Sequence, residues 1–410
     1  MLFRSAAALV KAREFEDWLT AWRRAEVAET PALASTGARL ASERRAALKD
    51  LIELDPKRAL EMAVPAGLRR ELPPAVAVLL EERIDDRGEL EVSVWHRGDA
   101  AHYDRVARIN GRAYRAFVFG RRANQPSKSG LPLHGVAIDD ALAVDEMPYR
   151  LLDDAEKAGA GLAVDAPALV VGPELLTPAT AAEFTALTGA LLAAESSPGP
   201  RVAEVRLGGS GTGTPATAAL TSAPSWINGA KRVLYLKIDF SDDAGAAFTD
   251  AEIQAGAAAT NDYYVANSQG KTTFAATIVP ATLRMPKPKS YYETSGSTNN
   301  ELYTAARDAA KAYDAANGGS GAWDPDKFDR YIIVHKRISV YLYGGVAQLG
   351  GARIGLNNTV SAGTAGHELG HTQSLAHSHY WLPSGTSPVG AGSHIEYGDV
   401  FDIMGGGGSA

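Results

Sequence analysis

The spacing of the last histidines constrains the fold of this chain more than any other feature. Five of the nine histidines lie within the last 44 of its 410 residues. His367 and His371 are four positions apart, so on a helix both imidazoles leave the same face, one turn apart. His377 comes ten positions after His367, where a continuous helix would carry it away from that face. The helix must therefore end near Ser374, and the chain must turn back to deliver the third imidazole.

Three imidazoles that converge in this way suit one metal ion. The chain contains no cysteine, so His, Asp, Glu or backbone oxygen atoms must hold any metal. Three neutral imidazoles leave one position open, which is typical of a catalytic rather than a closed structural site. Glu368 directly follows His367, and its carboxylate can accept a proton from a metal-bound water. The alternative, a chance match on the surface of an amphipathic helix, is disfavoured by His377 and by Met404 downstream.

Two segments of the chain resemble the metzincin metallopeptidases. Residues 367–377, HELGHTQSLAH, resemble the extended zinc signature of that clan. Residues 396–405, EYGDVFDIMG, resemble the segment that leads into the Met-turn of its gametolysin-like members. The resemblance is strong from about residue 364 to residue 405 and, by the order of elements alone, extends back to about Arg232. It says nothing about residues 1–200.

The resemblance implies a fold, a cofactor and an activity. The fold is an α/β zincin domain with a twisted sheet, an active-site helix and a Met-turn, in which Met404 underlies the metal site. The cofactor is one catalytic zinc ion on His367, His371 and His377. The activity is zinc-dependent hydrolysis of peptide bonds in a polypeptide substrate, with Glu368 as the general base. The resemblance also implies a secreted or extracytoplasmic location.

The sequence departs from the clan pattern at three places. Ser374 stands where the zinc signature has glycine, and a non-glycine residue at positive φ costs about 1 kcal/mol. Gly406 stands two positions after Met404, where some clan members have a tyrosine ligand, so three protein ligands and a water are expected. Only six residues follow Met404, so the C-terminal subdomain of the zincin fold is expected to be incomplete.

Four further polar residues lie close to the zinc signature. Asp399 and Asp402 are expected to brace the Met-turn by accepting backbone N–H groups, or to orient a ligand imidazole, rather than to bind zinc. His379 and His394 could replace a ligand or contact a substrate, but histidines in loops near a cleft are usually only solvated. The solvated interpretation is preferred for both.

The composition divides the chain into three parts. Residues 1–195 are predicted to form an α+β accessory region or prodomain, with strands meeting at Asn110-Gly111, further strands at 136–142 and 168–171, and a closing helix at 179–195. Residues 196–229 are rich in Gly, Ser, Thr and Pro and are predicted to form a linker. Residues 230–410 are predicted to form the metzincin-like catalytic domain. Its predicted elements alternate between strand 233–240, helix 250–267, strand 273–281, helix 299–315 and strand 331–334.

Several partners are disfavoured by the sequence. The net charge is −7 and no basic block occurs, so nucleic acid is not expected to bind. No apolar run reaches about 18 residues, so no membrane span is expected. The apolar run at the N-terminus is broken by Lys11, so there is no convincing signal peptide. Calcium is unsupported, because three clustered aspartates match no calcium loop and fit a proline-containing turn better: Asp324, Asp326 and Asp329.

Alternative functions stay open at this stage. The zinc site could belong to a catalytically silent or latent binding module, although a purely structural site has no use for a general base such as Glu368. The same chemistry could also hydrolyse a non-peptide amide. A peptide substrate would lie as an extended strand along the glycine-rich segment 344–357. The N-terminal region could confer latency without a cysteine, through an Asp, Glu or His group or by steric cover, or it could be a permanent accessory domain.

Overall fold

The computed structural model describes residues 2–24, 30–97, 100–197, 199–202, 226–294 and 299–406. The chain forms two compact units. The first comprises the described residues of 1–90 and 105–221, and the second comprises those of 91–104 and 222–410. Most of the predicted linker 196–229 lies outside the described residues.

The described residues of the first unit contain seven helices. Five of them precede the strands, and the other two lie among or after the later short strands. The helices are α1 (Leu2–Trp22), α2 (Thr30–Leu54), α3 (Pro56–Glu61), α4 (Ala66–Arg69), α5 (Pro74–Ala77), α6 (Asp154–Gly159) and α7 (Ala181–Ser196). The strands are β3 (Arg112–Phe117), β4 (Lys128–Ile138), β5 (Ala141–Val144), β6 (Arg150–Leu151), β7 (Leu169–Val171) and β8 (Glu174–Leu176). Two longer strands, β1 (Glu82–Arg97) and β2 (Ala100–Ile109), have residues in both units.

A small barrel forms the centre of the first unit. Its strands follow the order β1-β2-β3-β5-β4, and a further pairing of β1 with β4 closes the five strands into a ring. Leu48, Leu51 and Ile52 of α2 and Ala59 of α3 pack on the barrel through buried contacts with β4 and β5. The spacing of Leu48, Leu51 and Ile52 in the sequence puts them on one face of α2, and this face packs in the core.

The turns of this barrel test two predictions. The predicted hairpin at Asn110-Gly111 is confirmed, because β2 and β3 pair across it and both residues have positive φ, 50° and 79°. The predicted strand at 136–142 is wrong. β4 ends at Ile138 and β5 begins at Ala141, because Asp139 adopts a φ of 55° and turns the chain.

The second unit is built on a mixed sheet. Its elements are α8 (Asp250–Asn267), α9 (Lys289–Thr294), α10 (Asn299–Ala316), α11 (Ala362–Thr372), β9 (Gly229–Asp239), β10 (Thr272–Arg284), β11 (Arg330–His335), β12 (Gly345–Gln348), β13 (Arg353–Asn357), β14 (Tyr380–Pro383) and β15 (Gly392–Ile395). The strand order is β10-β9-β11-β13-β12. The first four strands are parallel, whereas β12 is antiparallel to β13. The five elements predicted from 233 to 334 are all present.

Helices cover both faces of this sheet. Leu234, Leu236 and Ile238 of β9 share one core with α10, while Val233 and Tyr235 share the other core with α8 and α11. The alternation with a period of two residues is what a strand buried on both faces requires. The sheet therefore fixes α11, which carries the histidine signature, against one of its faces.

The structure bears on the predicted absence of a membrane span, and the predicted zincin fold is untested. Among the described residues, no helix combines the length and the apolar character needed to cross a membrane. The assignment of residues 230–410 to a metzincin-like zincin fold stays a prediction.

Candidate metal centre

The helix α11 begins with a capped turn and lies close to its neighbours. The Ser361 side chain accepts a hydrogen bond from the Thr364 backbone N–H at 3.3 Å, which caps the first turn. The Tyr264 hydroxyl donates to the Gly366 carbonyl oxygen at 2.7 Å. A Cβ atom on Gly370 would lie 2.3 Å from the Met404 sulfur, so only glycine lets that sulfur approach the helix backbone.

The end of α11 turns the chain back as the histidine spacing predicts. The helix ends at Thr372, and Ser374 follows with a φ of 70°. The Leu375 N–H donates to the Gly370 carbonyl oxygen at 3.1 Å and closes the turn. The prediction of a non-glycine residue at positive φ is therefore confirmed. The turn brings His377 back to the face of the helix that carries the other two histidines.

The three imidazoles come together at one point. One ligand atom from each of His367, His371 and His377 can be chosen so that all three lie within 4.8 Å of one another. His371 and His377 are buried, with 1% and 6% of their surface exposed, and their Nε2 atoms are 3.1 Å apart. The structure thus brings together the three predicted ligands, and this cluster could hold a metal ion.

The opposite ring nitrogen of each histidine is held by an acceptor group. His367 Nδ1 lies 2.7 Å from the Ile403 carbonyl oxygen, and His371 Nδ1 lies 2.8 Å from the Leu375 carbonyl oxygen. A carbonyl oxygen can only accept, so each of these Nδ1 atoms carries the proton. His377 Nδ1 in turn faces a carboxylate oxygen of Glu396 at 2.8 Å.

This pattern of protonation leaves the Nε2 lone pairs directed at one another. The Nε2 atoms of His371 and His377 lie 3.1 Å apart, so both can contact one cation. Burial lowers the pKa of His367 and of His377, which favours the neutral imidazole that binds metals. The donor set therefore fits a divalent ion that prefers nitrogen ligands, such as zinc.

The predicted general base, Glu368, lies buried beside this cluster. It is 2% exposed, and its Oε2 atom has no hydrogen-bond partner among the described residues. Burial raises the pKa of Glu368 well above its usual range. The carboxylate lies against β12, because a Cβ atom on Gly345 would lie 2.5 Å from its Oε1 atom. Gly345 is a residue whose role the sequence analysis did not identify.

The turn around Met404 is braced by the two predicted aspartates. Met404 is 2% exposed. Asp402 Oδ1 accepts the Met404 N–H at 2.9 Å, and Asp399 Oδ1 accepts the Phe401 N–H at 2.9 Å. The Ser378 N–H donates to the Met404 carbonyl oxygen at 2.9 Å. Both aspartates thus accept backbone N–H groups of the turn, which is the first of the two roles expected for them.

Two residues that the sequence analysis missed contact His377. Glu396 holds its Nδ1 atom, and the Tyr397 hydroxyl lies 2.9 Å from its Nε2 atom. The Tyr397 ring stacks on the His377 ring with centroids 4.2 Å apart, and Tyr397 has a φ of 59°. Some metzincins have a tyrosine ligand after the Met-turn methionine, whereas the tyrosine next to His377 here, Tyr397, precedes Met404 in the chain.

A clamp of two further residues holds the C-terminal end of α11. The Arg330 guanidinium lies 3.5 Å from the centroid of the Trp226 ring and donates to Thr372 Oγ1 at 2.7 Å. The Trp226 indole N–H donates to the Thr372 carbonyl oxygen at 2.8 Å. Burial lowers the pKa of Arg330 to about 9. These contacts fix the helix end from which the His377 turn departs.

The remaining polar residues singled out in the sequence lie outside the cluster. His379 and His394 are exposed and lie beside or on the β14–β15 hairpin. The carboxylates of the three clustered aspartates all have protein partners: Asp324 accepts the Asp326 N–H, Asp326 pairs with Arg307 and Lys311, and Asp329 accepts the Arg232 N–H.

Comparisons with known proteins add little to this geometry. No protein-family model matches the sequence, and no curated protein matches it. Among solved structures, the chain is similar to metalloproteinase-II from Bacteroides fragilis, with 13% sequence identity over 70% of this chain and 81% of that chain. The TM-score of this match is 0.24, so the match carries no argument about the fold or the activity.

Replacing Ser374 by glycine should stabilise the second unit. Glycine adopts a φ of 70° without the Cβ clash that serine suffers, so Ser374→Gly should raise the free energy of unfolding by about 1 kcal/mol. Chemical denaturation measures the change. The matched control is Ser387→Gly, since Ser387 has no positive φ and glycine there should destabilise slightly. Equal effects of both changes would show that Ser374 is not strained.

Removing the Glu396 carboxylate should weaken metal binding. Without it, the His377 imidazole loses the acceptor that fixes its orientation, so Glu396→Ala should lower zinc affinity about 10- to 100-fold. Competition with a chromophoric chelator measures the affinity. Glu301→Ala is the control, because Glu301 instead accepts from the Tyr291 hydroxyl. Unchanged zinc affinity in Glu396→Ala would exclude this orienting role.

Proposed function

We propose that this protein is a zinc-dependent metalloendopeptidase of the metzincin type. The observation that carries the proposal is the convergence of His367, His371 and His377 on one point, with each Nδ1 atom held by an acceptor. Glu368 lies beside them, buried and with one oxygen atom that is not used in the fold. The resemblance of residues 367–377 and 396–405 to metzincin motifs supports the assignment and extends the proposal to a secreted or extracytoplasmic location.

The proposed mechanism assigns one role to each of these groups. A bound zinc ion supplies Lewis acidity, which acidifies water and polarises a carbonyl group. Glu368 accepts the proton of the attacking water and passes it to the leaving amine. Burial raises the pKa of this carboxyl, and a nearby cation shifts it back towards the ionised form that a base requires. The imidazoles of His367 and His377 stay neutral because burial lowers their pKa and so disfavours the charged form.

A catalytically silent zinc-binding module is the second candidate function. The three imidazoles would suffice for it, but Glu368 would then be a buried carboxyl without a structural task. Burial of such a group destabilises a fold unless it gains hydrogen bonds, and its Oε2 atom has none among the described residues. The position of Glu368 therefore favours a catalytic role.

Zinc content and peptide cleavage test the proposal together. The zinc-loaded chain should contain one zinc ion. Once any latency conferred by the N-terminal region is relieved, it should cleave a quenched library of unstructured peptides. Glu368→Ala should keep the zinc and lose about 100- to 10,000-fold in turnover, because a general base is removed. His371→Ala should lose the zinc. Equal turnover in Glu368→Ala would contradict the assignment of the base, and absence of bound zinc would overturn the metal site.

Two neighbouring glycines offer a sharper test of the position of Glu368. A Cβ atom on Gly345 would displace the Glu368 carboxylate, whereas one on Gly344 meets only Thr364 Cγ2, at 3.7 Å. Gly345→Ala should therefore lower kcat about 100-fold with zinc retained, since a shift of about 1 Å at a reacting group has such a cost. Gly344→Ala should leave kcat within about twofold. Similar kcat values for both variants would refute this packing argument.

A further inference from the structure

The strand β12 is the only antiparallel partner of β13 in the described sheet and lies along α11. Gly345, at one end of β12, contacts Glu368. Just beyond the other end, the Gly350 N–H donates to the His371 carbonyl oxygen at 2.8 Å. On the proposed function, on which this inference rests, the backbone edge of β12 that faces away from β13 is where an extended peptide would pair. The neighbouring strand β13 cannot offer an edge, because β11 and β12 flank it.

That edge of β12 is already paired with a segment of the same chain. Ser93 and Val94 of β1 lie opposite Gln348 and Ala347 in an antiparallel register. The Leu349 N–H donates to the Val92 carbonyl oxygen at 2.8 Å. Residues 91–104 accordingly belong to the second compact unit, although the residues on both sides of them belong to the first.

A buried ion pair holds this segment in place. Arg353 on β13 donates to the Glu91 carboxylate and, at 2.7 Å, to the Ser93 hydroxyl. Arg353 is 2% exposed and Glu91 is 4% exposed. Separating such a pair leaves a buried charge without its partner, which disfavours release of the segment. The segment is therefore bound by more than its backbone hydrogen bonds.

The returning part of the segment reaches the candidate metal centre. The Ala101 N–H donates to Glu396 Oε2 at 3.4 Å, and the other oxygen of the same carboxylate holds His377 Nδ1. Trp95 and His102 stack with ring centroids 4.4 Å apart, which joins the two arms of the segment. One arm thus follows the peptide-binding edge, and the other contacts the carboxylate that orients a ligand.

We propose that residues 92–94 of β1 occupy the peptide-binding edge of β12 in place of a substrate and keep the enzyme latent. Latency then depends on strand pairing along β12 and needs no thiolate. A cut within residues 203–225 does not release the segment, because residues 91–104 are part of the fold of the second unit. Activation requires displacement of the segment 91–104 itself.

Two hydroxamates of different length test this proposal on the zinc-loaded full chain. Acetohydroxamate binds the metal alone, whereas a peptidyl hydroxamate also needs the edge of β12 for its backbone. In the wild type the two should bind with affinities within about tenfold, because the edge is occupied. Hydrogen exchange should show protected amides at residues 92–94 and 347–349.

Two independent variants displace the segment by different means. Ser93→Lys places a second cation beside Arg353 and repels the segment, whereas Val94→Pro removes a backbone N–H from the strand. In each variant that retains its zinc and its circular dichroism spectrum, the peptidyl hydroxamate should bind at least about tenfold tighter, with acetohydroxamate unchanged. Ser93→Thr is the matched control, because it keeps the hydroxyl that accepts from Arg353. A wild-type chain cut within 203–225 should also bind the two hydroxamates with the same affinities as the uncut chain.

The outcomes separate this inference from the proposed function. Tight binding of the peptidyl hydroxamate to the uncut wild type, or to the chain cut only within 203–225, would overturn the inference while leaving the metal site intact. Unprotected amides at 92–94 would do the same. Binding of neither hydroxamate to any variant would overturn the proposed function and this inference with it.

Discussion

The three imidazoles of the candidate metal centre face one another through their Nε2 atoms, and this arrangement depends on what lies behind each ring. Two backbone carbonyl oxygens, of Leu375 and Ile403, and the carboxylate of Glu396 fix the protonated nitrogens. All three acceptors lie in the chain after α11. The segment from Ser374 to Met404 must therefore fold back on the helix before the histidines can point at one cation. The candidate metal centre therefore depends on this return path as much as on the helix.

Close backbone approach makes the return path fit. Gly370 leaves room for the Met404 sulfur, and Gly366 leaves room for the Ile403 side chain, whose atoms would lie 2.3 Å and 2.6 Å from an added Cβ. On the opposite side Gly345 leaves room for Glu368. In each case a missing side chain on one element sets the depth at which a functional side chain on another can lie. Steric contact therefore requires glycine at these positions, and the placement of the Glu368, Ile403 and Met404 side chains depends on it.

Much of this architecture follows from local signals in the sequence. The helix at 250–267 was predicted from its periodicity with both ends correct. Thr249 and Glu252 form a capping box that marks its start. The histidine spacing predicted the end of α11, and the resemblance to the zinc signature, which has glycine at this position, predicted the positive φ at Ser374. In contrast, Glu396 and Tyr397 reach His377 only through the β14–β15 hairpin and a positive φ at Tyr397. No periodicity encodes such a path, so no spacing in the sequence predicts these two contacts.

The pairing of β1 with β12 could not be predicted from the sequence for the same reason. Contiguity along the chain assigned residues 91–97 to the N-terminal region, whereas their partners on β12 are remote in sequence. This pairing has a further consequence for the protein once the segment is gone. A bare strand edge presents a row of unpaired N–H and C=O groups that other chains can pair with. The second unit would then be open to edge-to-edge association with its own copies. The free form would persist best when the protein is dilute or when a peptide pairs with the edge.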